Sequence, residues 1–461
     1  MEAQMTENIK EGFDSIFLSE DNDEKNIVKA GGEKNAILVS SYSSADADEA
    51  AISLDELKLL LETADGKTVG IITQMRDKPD GRTFIGKGKM EELSELIKAT
   101  GAELVIFDTE LSPMQIKIIE DELEGEVSVI DRSMLILDIF ASHATSAEGR
   151  LQVELAQLKY TAPRLMGKGK QMSRLGGGVG TRGPGESKLE IDRRRLKTRI
   201  RNLEDNIKRL EAVRKTQRSA RERGGIDCCA VVGYTNAGKS TLLNKLTDAN
   251  ILAQDKLFAT LDPTTRQYVL PSGRNILLTD TVGFIRHLPH HLISAFKSTL
   301  DEAVLADALI IVCDASDENL ASQMQVTRNT LNELGAVGKP TLIVFNKCDA
   351  VADENTLLTL KGLSSGADEK CVFISALNGD GIDRFAEALE ELLSGGKKRV
   401  TMTLPMSDSA VVATVYRCCE DVEVDYTDES IKITATADEK SAGQLKKYID
   451  DYDFLFGTEE S

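Results

Sequence analysis

The run Gly233-Tyr234-Thr235-Asn236-Ala237-Gly238-Lys239-Ser240 follows the apolar stretch CCAVV at 228–232 and precedes TLLNKLTD. A glycine-bearing turn between a strand and a helix points backbone N–H groups at phosphate oxygens, and the helix dipole adds to the attraction. In this pattern Lys239 is expected to reach the β and γ phosphates and the Ser240 hydroxyl to bind Mg²⁺. Asp280-Thr281-Val282-Gly283 follows the apolar run ILLT. There Asp280 is expected to hold the Mg²⁺ through water, and the Gly283 N–H to meet the γ-phosphate. Asn346-Lys347-Cys348-Asp349 ends the run TLIVF, and Ser375-Ala376-Leu377 ends CVFI. Asp349 suits guanine, because its carboxylate can accept from both N1–H and the N2 amine, whereas adenine would leave it unpaired. Asn346 and the Lys347 stem are expected to frame the base, with the backbone of 375–377 at the guanine O6. Together these motifs predict a site for GTP and GDP.

Between the first two motifs lies Phe258-Ala259-Thr260-Leu261-Asp262, followed by Pro263, Thr264 and Thr265. A threonine here should complete the Mg²⁺ shell. Thr260 is the expected one, with Thr264 and Thr265 as competitors. After Gly283 comes Phe284 rather than the glutamine that orients water in Ras-like enzymes, so unaided hydrolysis should be slow. Asn236 either coordinates K⁺, as an asparagine there does in some bacterial GTPases, or only shapes the loop. Lys239, Thr260, Gly283 and Asn236 are thus the expected catalytic group.

These residues need a parallel α/β sheet that brings several strand ends to one edge. Strand-like and helix-like runs alternate twice, over 35–148 and over 226–398, so two such sheets are predicted. In the first, Ser112 has the position of a helix N-cap. Gly86-Lys87-Gly88 lies between a strand signal and a helix start and reads as a plain loop, with a phosphate site at the helix N-terminus as the alternative. Between the two sheets, Leu151, Leu155 and Leu158 form one helical stripe. Leu196, Ile200, Leu203, Ile207 and Leu210 form a coiled-coil seam. The segment 149–225 therefore reads as a helical hairpin. Its tip, from Pro163 to Glu186, looks too glycine-rich for a helix interior, and its second helix should start after Gly185. Residues 1–34 read as a disordered acidic extension. Residues 399–461 read as a small α+β domain with two or three strands and one helix.

The chain has 461 residues and a formal net charge of −20. The charge is uneven: residues 159–223 hold 20 Lys or Arg against 7 Asp or Glu, a local net of +13. A basic element on an acidic body suits a phosphate-rich partner. With no Trp and 5% aromatic residues, base stacking on single strands is disfavoured. Arg174, Arg182, Arg193, Arg194 and Arg195 are the candidate RNA contacts. No apolar run approaches the length needed to cross a bilayer, and no signal peptide is visible, so a cytoplasmic protein is expected. The seven cysteines include no CxxC and read as reduced core thiols. His287, His290 and His291 cluster without a matching set of further ligands.

The chain resembles the HflX family of translational GTPases. The resemblance rests on FIGKGKMEEL at 84–93, RLQVELAQL at 150–158, PRL at 163–165, SRLGGGVGTRGPGE at 173–186 and DRRRLKTRI at 192–200. In the nucleotide region it rests on GYTNAGKS, FATLDPT, DTVGFI and NKCD. It implies an α/β P-loop GTPase domain flanked by a small parallel α/β domain, a helical hairpin and a small C-terminal domain. It also implies that the GTP form binds ribosomal RNA of the large subunit and splits stalled or stressed ribosomes, with hydrolysis stimulated by the ribosome. It supports Thr260 as the switch threonine. A monomer is expected. The competing classes are an RNA remodeller tuned by nucleotide and a signalling GTPase with a protein partner.

Overall fold

The computed structural model describes residues 34–125, 127–172, 184–222, 226–247, 257–258, 263–287, 297–351, 359–362, 369–393, 398–405, 409–426, 430–437 and 439–453. The extension at 1–33 and the loop at 173–183, which includes Arg174 and Arg182, lie outside them. Two compact units account for the chain. One comprises Met1–Ala220, Gln254–Pro263 and Val282–Asp301; the other comprises Arg221–Ala253, Thr264–Thr281 and Glu302–Ser461.

The first unit begins with a four-stranded sheet. Its elements are β1 (Lys34–Tyr42), α1 (Ala47–Thr63), β2 (Gly66–Met75), α2 (Lys87–Thr100), β3 (Leu104–Phe107), α3 (Pro113–Glu122), β4 (Ser128–Asp131) and α4 (Arg132–His143). The strand order is β2-β1-β3-β4, and every pairing is parallel. Helices on both faces bury the near-continuous apolar runs of β1 and β3. Ser112 caps α3 in a full capping box with Gln115 and Pro113 at the first helical position. Gly86 is the N-cap of α2, and its N–H donates to Gln74 Oε1 at 2.8 Å.

At the carboxyl ends of β3 and β4 a polar cluster is buried. The Arg132 guanidinium donates to Asp108 Oδ1 at 2.8 Å and Ser53 Oγ at 3.1 Å, and pairs with Glu56. Asp131 accepts from the Met134 and Leu111 N–H groups, each at 3.0 Å, and from the Tyr160 hydroxyl.

Tyr160 belongs to α5 (Ala147–Met172), which pairs with α6 (Pro184–Glu222). Leu151, Leu155 and Leu158 meet Leu203 and Ile207, with Leu196, Ile200 and Leu210 alongside. The seam is the one the heptad spacing predicts. Arg199 grips Glu154 with two bonds, at 2.6 and 2.9 Å. Against expectation, α5 continues through Pro163, Gly167 and Gly169 to Met172, and α6 already includes Pro184 and Gly185. A helix that gains packing along most of its length tolerates the cost of roughly 1 kcal/mol per glycine near its end.

The second unit holds β5 (Cys228–Gly233), α7 (Lys239–Thr247), β6 (Thr264–Val269), β7 (Asn275–Asp280), β8 (Ala308–Asp314), α9 (Leu320–Leu334), β9 (Thr341–Asn346), β10 (Glu369–Phe373) and α10 (Ile382–Leu393); α8 (Lys297–Leu305) precedes β8. The strand order is β10-β9-β8-β5-β7-β6. Only β6 runs antiparallel, against β7. β11 (Lys398–Pro405), α11 (Ser409–Cys418), β12 (Glu420–Tyr426), β13 (Ser430–Ala437), α12 (Glu439–Leu445) and β14 (Ile449–Asp453) complete the chain. Their antiparallel sheet has the order β12-β13-β11-β14. This region has four strands and two helices, more than the sequence suggested, because β12 and β14 carry too many acidic residues to read as strands.

Replacing Arg132 with Met should destabilise the first unit by about 3–5 kcal/mol, since two buried carboxylates lose their countercharge. Urea unfolding followed by far-UV circular dichroism measures this.

Candidate nucleotide site

Four parallel strands of the second unit end at one edge, and each end carries a motif. β5 ends in Gly233, β7 in Asp280, β9 in Asn346, and the chain leaving β10 reaches Ser375 through Ile374. The turn after β5 needs unusual backbone. Gly233 has φ +147° and Gly238 φ +90°. A Cβ at Gly233 would overlap the Val312 carbonyl, and one at Gly238 would overlap the Asn346 side-chain amide. Asn236 is also left-handed, at φ 59°, a conformation asparagine adopts more readily than most residues. Its side chain is exposed, while Tyr234, Thr235 and Ala237 are buried.

Lys239 begins α7 and folds back over the turn, donating to the carbonyls of Gly233 at 3.2 Å and Tyr234 at 2.8 Å. Burial pulls its ammonium down to about 8, with Asp280 opposing the shift. The Ser240 hydroxyl donates to Asp280 Oδ2 at 2.7 Å, which sets two hard oxygen donors side by side. Thr281 anchors the end of β7, its hydroxyl donating to the Val231 carbonyl at 2.8 Å.

Asn346 has a role that spacing alone did not show. Its amide nitrogen donates to the Ala237 carbonyl at 2.9 Å and its oxygen accepts from the Ala376 N–H at 2.9 Å. It is therefore a strut joining the phosphate turn to the segment 375–377. Lys347 is left-handed at φ 62°, and its ammonium meets Asp314 Oδ2 at 2.7 Å, which leaves the aliphatic stem along the edge. Asp314 was missed; the only hint was an apolar run, LIIVCD, ending in a carboxylate. Cys348 donates its N–H to the Ile374 carbonyl at 3.1 Å, and burial pushes its thiol up. Asp349 stands exposed in a short turn. Ser375 is buried, with its hydroxyl accepting from Asn378 N–H at 3.2 Å, while Leu377 is exposed. The structure thus brings Gly233–Ser240, Asp280, Thr281, Asn346–Asp349 and Ser375–Leu377 to one edge.

Ala259, Thr260, Leu261 and Asp262 lie outside the described residues, as do His290 and His291. Of the competing threonines, Thr265 shares a hydrogen bond with Thr279, hydroxyl to hydroxyl at 2.9 Å, and Thr264 sits on β6 opposite Asp280.

Phe258 and the stretch Val282–Ile285 belong to the first unit. Leu257, Phe258, Val282 and Ile285 join the core formed by α1 and α4. The Phe258 ring meets Phe140 edge-on, 4.7 Å between centroids, and the Leu257 N–H donates to Thr63 Oγ1 at 3.2 Å. Phe258 is held at φ 57°, a strained conformation for a bulky residue. Gly283 and Phe284 are buried in the same stretch, and His287 faces Glu49 at 3.8 Å. Nothing in the sequence pattern pointed to Thr63 or Phe140 as neighbours of these segments.

Comparison with known proteins follows the same order along the chain. Residues 51–141 match the profile of the GTP-binding GTPase N-terminal region and 143–221 that of the GTP-binding GTPase middle region. Residues 228–347 match the 50S ribosome-binding GTPase profile, and 363–453 the HflX C-terminal domain. The GTPase HflX of Caldanaerobacter subterraneus subsp. tengcongensis is 45% identical over 91% of this chain and 95% of its own length. The chain belongs to the HflX family of GTPases. The Escherichia coli HflX is 42% identical, covering 83% of this chain and 88% of its own. A GDP complex of a GTP-binding protein from Sulfolobus solfataricus aligns over 78% of this chain and 99% of its own, at 28% identity and a TM-score of 0.40. As an HflX-family GTPase with its nucleotide motifs in register, the protein is a GTP-hydrolysing enzyme. Among the described residues no helix is long and apolar enough to cross a membrane.

A phosphate beside Lys239 restores a countercharge and raises its pKa, so nucleotide binding takes up a proton above about pH 8. GDP affinity should therefore fall as pH rises from 7 to 9, and Lys239→Met should flatten the dependence. Titration calorimetry in buffers of different ionisation enthalpy reads both.

Proposed function

We propose that this GTPase binds the large ribosomal subunit in its GTP form, through the first unit and its basic hairpin, and separates stalled or stressed ribosomes. Hydrolysis, stimulated by the ribosome, then releases it. The observation that carries this reading is the joining of a guanine-nucleotide edge, matched to the 50S ribosome-binding GTPase profile, to a hairpin whose local net charge is +13. Arg193, Arg194 and Arg195 are exposed on α6. Exposed guanidinium groups on this stretch present positive charge to phosphates. RNA recognition through backbone and shape needs such charge and no aromatic platform.

Within the site, the turn's N–H groups and Lys239 hold the phosphates, and Asp349 selects guanine. The adjacent oxygens of Ser240 and Asp280 fit Mg²⁺, a hard cation that takes oxygen ligands. When bound, Mg²⁺ supplies charge neutralisation between the β and γ phosphates. Thr260 completes that shell: Thr265 is already committed to Thr279, which favours the earlier threonine. Gly283 senses the γ-phosphate through its N–H. Phe284 is buried and apolar and orients no water, so acceleration must come from outside the chain or from an ion. In this reading Asn236, exposed on the turn, takes K⁺.

Co-sedimentation with purified large subunits should require a non-hydrolysable GTP analogue and weaken with GDP. Charge reversal at Arg193, Arg194 and Arg195 should lower affinity about uniformly and flatten its salt dependence by roughly one unit per lost phosphate contact. Equal binding of the GDP and GTP forms would sink the proposal. Loss of residues 168–186 should abolish ribosome separation while sparing nucleotide binding; retention of RNA affinity without separation activity in the intact chain would instead indicate an RNA remodeller.

Steady-state GTP hydrolysis should be faster in KCl than in NaCl at equal ionic strength, and Asn236→Ala should erase the difference. Equal rates in the two salts for the unaltered chain would remove K⁺ from the mechanism.

A further inference from the structure

Two adjacent cysteine pairs occur in the chain, Cys228-Cys229 and Cys418-Cys419, and the fold treats them oppositely. The first pair lies in β5, where successive side chains point to opposite faces. Cys229 is fully buried in the apolar core, while Cys228 is half-buried on the other face. Those two sulfurs cannot converge on one atom.

The second pair sits where α11 ends. The Cys419 N–H still donates to the Val415 carbonyl, at 2.8 Å, so the backbone turns tightly through both residues. The two Sγ atoms are 3.9 Å apart. Neither cysteine is in a disulfide, and both are half-buried and packed at the rim of the C-terminal core. The Cys418 thiol donates to the Thr414 carbonyl at 3.0 Å, a weak bond that a stronger partner for sulfur can displace.

We propose that Cys418 and Cys419 form a chelating dithiol for one thiophilic centre of the trivalent arsenic class. Two arguments narrow the ligand. A disulfide is disfavoured, because neighbouring Cα atoms are about 3.8 Å apart and an unstrained bridge needs roughly 4.4–6.8 Å. The pair therefore persists as a dithiol. A structural zinc site needs four ligands, and among the described residues no group of three or more His, Cys, Asp or Glu could hold a metal. The ligand must be satisfied by two sulfurs, as an arsenic(III) that keeps one other substituent is.

The chemistry balances without an oxidant. Each thiol replaces one hydroxyl on R–As(OH)₂. Two S–As bonds form, two As–O bonds break, and each thiol proton leaves with a hydroxyl as water. The arsenic stays trivalent. The site lies apart from the nucleotide motifs in sequence, and the inference needs nothing from the ribosomal reading.

Phenylarsine oxide is the probe, used on the full chain and read by intact mass spectrometry, with peptide mapping to locate the adduct. The expected result is one phenylarsenic held by the peptide containing Cys418 and Cys419, removed by a dithiol and resistant to a monothiol. Cys418→Ser and Cys419→Ser should each weaken binding by at least ~100-fold, since one sulfur loses the advantage of a linked pair. Cys228→Ser should change nothing. No adduct on the unaltered chain, an adduct mapped to another cysteine, or one undiminished in Cys418→Ser would overturn the assignment. Mapping on the unaltered chain decides the matter even if a serine variant folds poorly.

Discussion

The phosphate turn is held from behind by one side-chain amide. Asn346 ties the Ala237 carbonyl to the Ala376 N–H, so the glycine turn and the segment 375–377 share a single strut. Buried amides that satisfy both ends rigidify what they join. The close approach of Gly238 to that amide explains why only glycine suits the position. Without the strut, a glycine turn would sample many shapes and its N–H groups would lose their convergence.

A second constraint links chemistry to the N-terminal fold. The segments on either side of the expected γ-phosphate sensors supply four residues, Leu257, Phe258, Val282 and Ile285, to the core under α1 and α4. The apolar core fixes these residues by packing, and they adjoin the segments that carry the expected Thr260 and Gly283 roles. A packed core switches between discrete arrangements and does not deform smoothly. The hairpin is tied to the same core through Tyr160 and Asp131.

Much of this was readable beforehand, for physical reasons. Motifs such as GYTNAGKS and NKCD are bound to strand ends by the geometry of phosphate and base recognition. The heptad stripe from Leu196 to Leu210 has one packing solution. Ser112 announced its helix by capping chemistry. What escaped was non-local: Asn346 as a strut, Asp314 beneath Lys347, and Thr63 and Phe140 beside the segment at 257–258 depend on contacts between residues far apart in the chain. The continuation of α5 past Pro163 escaped for the reverse reason, since local propensity argued against it and the surrounding helix overrode it. In β12 the exposed Glu423 and Asp425 hid strand character that Val422 and Val424, packed on the C-terminal core, supply.

The insertion of Phe258 against Phe140 bears on how the molecule could be divided. A fragment ending near residue 220 would keep the strands and helices of the first sheet and lose the four side chains that fill its core from later in the chain. An uncovered hollow lined by leucines, isoleucines and Phe140 would face water, a surface prone to self-association. During synthesis the hydrophobic interior of the first sheet is thus completed only when residues about sixty beyond the hairpin have emerged.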